Sequence, residues 1–290
     1  MSNTDLIIEE RSRDIGDFLV GRLIPFRKKR MVGPFIFIDH MGPSEIGPGR
    51  YLDIGQHPHI GLSTLTYLLE GQVMHRDTLG TEQLVTPGSV GWMTAGKGIV
   101  HTERTPEAQR DGATYNMHGY QIWVALPKAL QRMPPEFSYT PAAQLPKWSD
   151  GVMNFTLVAG EAYGHKSPVP VFSHLFMVEV KTAAGGWLDV QGQLRGEIGV
   201  CIVEGHIEAC DQRIEKGNML VSKEADICKM GLGPNTHLFL FGGEPFAEER
   251  HIYWNFVSSE KSLIEEAKEN WAARNFDMVP GEQGYIPLPG

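Results

Sequence analysis

No apolar run in the 290 residues approaches the ~18 that a membrane span needs. Met1 to Glu10 carries acids where a secretory leader would carry basic and then apolar residues. The chain therefore reads as soluble and cytoplasmic, with no membrane partner. Cysteine is scarce. Cys201, Cys210 and Cys228 are an odd set without zinc-finger spacing, which excludes a disulfide framework and predicts reduced thiols. Positive charge is short as well: 26 Lys and Arg stand against 35 Asp and Glu, a net charge of −9, so no direct nucleic-acid partner is expected. The one basic run, Arg27 to Arg30, precedes Gly33-Pro34 and reads as a solvated turn. Gly96-x-Gly98 has His101 where the third glycine of a dinucleotide loop would stand, and no βαβ pattern surrounds it. There is no nucleophile elbow and no phosphate-binding lysine motif.

Glycine (33) and proline (19) are plentiful and separate short apolar stretches, among them Phe35–Ile38, Ser63–Leu69, Gly91–Met93 and Tyr120–Leu126. Runs of that length between turn signals predict an all-β sandwich or barrel. Prolines at 127, 134, 135, 141 and 146 mark a poor strand and a linker, and they divide the chain into residues 1–135 and 136–290. Strand-like runs resume at Asn154–Ala159, Leu175–Val180, Gly199–Val203 and His237–Phe241. One helix is expected near the end. Ser262 stands as N-cap with Glu265 three residues on, and Leu263, Ile264, Ala267 and Trp271 form its packing stripe. Pro280 to Gly290 reads as an extended surface tail.

The two halves repeat each other. His57 to Val73 lies over Gln191 to Ile207 without a gap, 134 residues apart, and Glu70-Gly71 coincides with Glu204-Gly205. The polar positions differ. His57 and His59 become Gln191 and Gln193, while His101 and Glu103 fall at about Met230 and Leu232. On strands, His57-x-His59 and His101-x-Glu103 each turn two donors to one face. Together they offer three imidazoles and a carboxylate to one ion, a set that suits Fe(II), Mn, Ni, Cu, Zn or Co. The second half keeps the strand pattern and loses the donors, so a single metal site in the first half is expected.

Several of these stretches resemble the pirin family, a two-domain branch of the cupins. They are Gly33-Pro34-Phe35 leading to Asp39, His57-Pro58-His59-Ile60-Gly61, Thr66 to Gly71, Pro87-Gly88, Trp92 to Glu103, and His118 to Val124. The resemblance implies two cupin-type barrels, a bicupin with a short C-terminal helix. It implies mononuclear iron held by His57, His59, His101 and Glu103 in the N-terminal domain, with a C-terminal domain that lacks metal. Several bacterial pirins are similar to quercetin 2,3-dioxygenase, which opens the flavonol ring with O₂, so a flavonol-like small aromatic substrate and O₂ are the implied partners. Glu103 is the catalytic candidate, as anionic ligand or as base. The alternative implied by other pirins is an iron-dependent regulatory protein that binds a transcription factor or metabolic enzyme. Asp39, His40, His75 and His118 read as satisfied core or surface groups, with Asp39 as a candidate to orient a ligand imidazole.

Overall fold

Branched and aromatic runs closed by glycine turns pair as antiparallel strands. In the computed structural model these strands make nearly all the regular structure of residues 4–14, 19–209, 211–222 and 229–290, the residues it describes. The all-β expectation holds, with one α-helix, Lys261–Ala272. Cys201 is buried, while Cys210 and Cys228 lie outside the described residues.

Grouped by contact, the chain forms two units. One, here the donor unit, comprises Ser12–Val20, Asp39–Ala142 and Ala247–Gly290. The other, the apolar unit, comprises Met1–Arg11, Gly21–Ile38 and Ala143–Phe246. The cut expected between residues 135 and 136 follows chain order, whereas the units interleave along the chain: the helix and tail belong with His57 to Glu103.

In the donor unit a small sheet runs Asp53–His59, Ile99–Arg104, Val73–Asp77, Glu82–Val85. A larger sheet runs Glu136–Thr140, Val90–Thr94, Leu62–Glu70, Tyr115–Ala125, and then Phe35–Ile46, whose residues from Asp39 on belong to this unit. Leu68 and Met117 of the larger sheet meet Val73 and Val85 of the small one in a common core. A second core forms where the helix docks. Ile264, Ala267 and Trp271 pack with Ile60, Val100 and Phe256, and Ile60 and Val100 are the chain neighbours of His59 and His101. Helix packing thus presses on the donor strands themselves.

Two local expectations are corrected. Ser262 is the second residue of the helix, not its cap; Glu260 takes the cap position with extended backbone and no side-chain cap bond. The serine that organises this end is Ser258, whose hydroxyl accepts from the Glu260 N–H at 2.9 Å and donates to Gln131 at 3.0 Å. The proline-rich stretch also holds structure. Glu136–Thr140 pairs with Val90–Thr94 as the outermost strand of its sheet, an edge position that tolerates Pro134 and Pro135 just before it.

The apolar unit repeats the layout. Its small sheet runs Gly186–Leu188, Met230–Leu232, His206–Ala209, Gln212–Glu215, and its larger sheet centres on Glu197–Glu204 and Thr236–Gly243. The space between is filled with Phe155, Val178, Leu188, Ile207, Met230 and Leu240. Gln191 and Gln193 correct the sequence reading. They are exposed in the turn after the three-residue strand Gly186–Leu188, so the counterparts of His57 and His59 are displaced as well as substituted.

Trp271→Ala should cost about 3–5 kcal/mol, read as a lower midpoint in chemical denaturation, because it empties the core beneath Ile60 and Val100. In the apolar unit Glu179 is buried. Burial alone would raise its carboxyl, but the hydrogen bond from His237 (2.9 Å) and the charges of Lys181 and His237 hold it at about 2. A depressed carboxyl stabilises the fold above the unfolded-state value and loses that contribution as pH falls toward 2, on the order of 2 kcal/mol in all. Glu179→Gln should therefore be less stable than the parent at pH 7, with the gap closing between pH 4.5 and 2. A gap constant across that range in pH-resolved denaturation would refute the assignment.

Candidate metal centre

The pleat of Asp53–His59 sends His57 and His59 to one face with Pro58 on the other. Two glycines clamp the ends of the donor strands. At Gly61 (φ +69°) an added Cβ would lie 1.9 Å from the Val257 carbonyl oxygen, and at Gly96 (φ +52°) 2.0 Å from that of Met133. The Gly61 N–H donates to the Gly96 carbonyl at 2.8 Å, joining the two turns. A side chain fits at neither position. Antiparallel pairing then sets His101 opposite His57 and Ile99 opposite His59.

The three rings converge. Their centroids are 4.3 Å (His57–His101), 5.0 Å (His59–His101) and 5.1 Å (His57–His59) apart. One nitrogen from each lies within 4.8 Å of the other two. All three are buried, with Trp123 edge-on to His59 at 5.2 Å. Burial holds the imidazoles neutral. His57 is lowered to about 4 by burial, against the opposing bond to the Gly55 carbonyl and with the charge of His75 adding to the shift. His59 and His101 fall well below the usual histidine value, through burial first and then through their histidine neighbours.

Each ring uses one nitrogen to anchor itself. His57 Nδ1 donates to the Gly55 carbonyl at 2.8 Å, and His59 donates to the Asn255 backbone. His101 Nδ1 lies 3.3 Å from His75 Nδ1. Meanwhile His59 Nδ1 and His101 Nε2 are buried with no hydrogen-bond partner. A buried unsatisfied polar atom costs about 1–3 kcal/mol, and neutral imidazole nitrogens with free lone pairs are ligands for a transition metal. The residues present therefore fit a metal ion.

Glu103 stands apart from this set. Between His101 and Glu103 the pairing slips, from His57 to Ile54, so a bulge in Asp53–His59 sets Ile54 opposite Glu103. The carboxylate is outside the group of atoms within 4.8 Å of one another. It is buried, receives a 3.3 Å hydrogen bond from Thr66 Oγ1, and faces His75 across the sheet. Burial raises its carboxyl above the usual range, with the charge of His75 and the Thr66 bond opposing.

His75 is the group that sequence reasoning undervalued. It lies against His101, stacks on Phe137 at 4.4 Å, and donates from Nε2 to Asp77 Oδ2 at 3.0 Å. The available signal was His75-x-Asp77, the same alternation of imidazole and acid as His101-x-Glu103, on the strand after Gly71. Elsewhere in the unit, His40 and His118 form a separate pair, Nε2 to Nε2 at 2.8 Å, with His40 stacked on Tyr120. Asp39 is buried, and Trp92 and Met93 pack in the interior.

Two antiparallel units of one layout, one of them carrying a buried three-histidine cluster, define a two-domain cupin protein. The pirin family profile matches residues 18–124, and that of the pirin C-terminal cupin domain matches residues 177–277. A pirin-like protein of Caulobacter vibrioides is 41% identical over 289 residues, covering 98% of this chain and 99% of the relative. The chain belongs to the pirin family. A Pseudomonas aeruginosa protein provisionally named a quercetin 2,3-dioxygenase is 35% identical over 266 residues, covering 91% of this chain and 82% of its own. The crystal structure of a quercetin 2,3-dioxygenase from Acinetobacter baumannii superposes with a TM-score of 0.89 at 33% identity, covering 98% of this chain and 95% of that one.

Protein purified without chelator should carry about one transition ion per chain, measured by elemental analysis with EPR. His101→Ala should lose it. Stoichiometric metal retained by a His57→Ala/His101→Ala double variant would overturn the site.

Proposed function

We propose that this pirin is a mononuclear metal dioxygenase that opens the ring of flavonols such as quercetin with O₂. In this reading iron is held by His57, His59 and His101, with Glu103 as the acidic partner. The observation that carries it is the pair of buried, unpartnered nitrogens on His59 and His101 beside the neutral His57 ring. The likeness to proteins named for quercetin 2,3-dioxygenase supports the substrate class and the use of O₂.

A divalent ion bound there would supply Lewis acidity, lowering the pKa of a coordinated substrate hydroxyl. The chain's own residues supply the rest. The neutral imidazoles contribute no charge, so Glu103 is the acidic side chain of the proposed set. Its raised carboxyl suits it to accept a hydroxyl proton and keep it. The Thr66 hydroxyl at 3.3 Å orients the carboxylate for that role. Burial of the histidines and the Trp123 edge exclude bulk water from the reacting centre.

Iron-loaded protein mixed with quercetin under O₂ should bleach the flavonol's visible absorption, and chelation should abolish the loss. Glu103→Gln should lower kcat by roughly 10²–10⁴-fold. No metal-dependent turnover across a flavonol panel, together with a tight protein partner in pull-downs, would replace the dioxygenase with the regulatory reading.

A further inference from the structure

We infer that Asp77 and His75 form a hydrogen-bonded relay that fixes the tautomer of His101 and so keeps its Nε2 bare for a metal ion. The inference rests on the reading of His57, His59 and His101 as metal ligands and extends it to side chains that would not themselves bind the ion.

The direction of the relay follows from which atoms can donate. Asp77 Oδ1 accepts from the Leu79 N–H at 2.9 Å and the Thr81 N–H at 3.2 Å, so the turn holds the carboxylate by one oxygen. Its other oxygen, Oδ2, lies 3.0 Å from His75 Nε2. A carboxylate only accepts, so the His75 proton is on Nε2. While His75 holds only that one proton, its Nδ1 carries a lone pair. His101 Nδ1, 3.3 Å away, must donate to it, which leaves the proton off His101 Nε2. That is the nitrogen found buried and without a partner. Pairing fixes the geometry, because Val73–Asp77 lies beside Ile99–Arg104 with Asp77 opposite His101, and Phe137 stacks on the His75 ring. An outer partner of this kind orients a ligand imidazole and sets its tautomer.

Three variants separate the relay from packing. His75→Phe keeps an aromatic ring against Phe137 but cannot accept from His101. His75→Gln can accept through its amide oxygen and donate to Asp77 through its amide nitrogen. Asp77→Asn is the sharpest. The Leu79 and Thr81 N–H groups still claim its oxygen, so its NH₂ faces His75 and reverses every donor in the chain. That places a proton on His101 Nε2. The first readout is ¹⁵N NMR of the histidine rings in metal-free protein, which reports the protonated nitrogen directly. The second is Fe(II) affinity, by anaerobic competition with a chromophoric chelator.

The parent should show His101 protonated at Nδ1, and Asp77→Asn should show it at Nε2. Fe(II) affinity should fall roughly 10–100-fold in His75→Phe and in Asp77→Asn, and His75→Gln should restore most of it. Parent protein with His101 protonated at Nε2, or His75→Phe binding Fe(II) as tightly as the parent, overturns the inference. If the parent binds no Fe(II), the metal reading fails and takes the affinity claim with it, while the ring spectra still decide the relay. If His75→Phe does not fold, the parent spectrum and Asp77→Asn decide it.

Discussion

Three imidazoles buried together with lone pairs turned inward are the constraint around which the donor unit is built. A buried polar atom without a partner works against folding, and here two of them, His59 Nδ1 and His101 Nε2, share one small volume. The surrounding structure must hold what these atoms alone would not. Antiparallel pairing fixes His57 against His101, Gly61 and Gly96 let the backbone close where no Cβ fits, and Trp271 drives the helix core against Ile60 and Val100. The apolar residues beside the donors are the frame that keeps the donors in place.

The apolar unit shows what the same layout does without that constraint. Where the donor unit sets His57 opposite His101, this one sets Leu188 opposite Met230, and Leu188 and Met230 enter a continuous hydrophobic core. Its strand ends at Leu188, and the chain turns outward through exposed Gln191 and Gln193 instead of carrying a second pair of donors inward. Fold and site are thus separable. The sheets tolerate either a dry apolar filling or a ring of imidazoles, and the side chains at a few alternating positions decide which.

Those alternating positions are what made the centre legible in sequence. His57-x-His59 and His101 fell on one face because strand periodicity is strict and glycines mark the turns. Three features escaped for physical reasons. The bulge before His57 shifts the register by a residue, which no alternation rule reports, so the pairing of Glu103 with Ile54 was invisible. The partnership of His75 with His101 depends on two strands far apart in sequence becoming neighbours. The interleaving of the units comes from the last 44 residues packing beside Ile60 and Val100, with Trp271 buried among them. A local stripe of apolar residues predicts that a helix buries a face, and it does not say against what.

The anchoring of the three rings is unequal, and that inequality bears on how the centre works. His57 leans on the carbonyl of Gly55, two residues away on its own strand. His59 leans on the backbone of Asn255, so the C-terminal segment holds one of the clustered rings. Both acceptors are peptide carbonyls, which fix a ring's orientation but carry no charge. His101 alone is backed by a side-chain chain that ends on a carboxylate held by the 77–81 turn. A carboxylate behind an imidazole raises its basicity in a way a carbonyl does not. Two rings therefore supply rigidity, and in the proposed metal reading the third is where the protein would set how strongly an ion is held and how electron-rich it becomes. Altering the anchors of His57 or His59 disturbs backbone geometry, whereas Asp77 and His75 can change the electronic character of the site and leave the strands where they are.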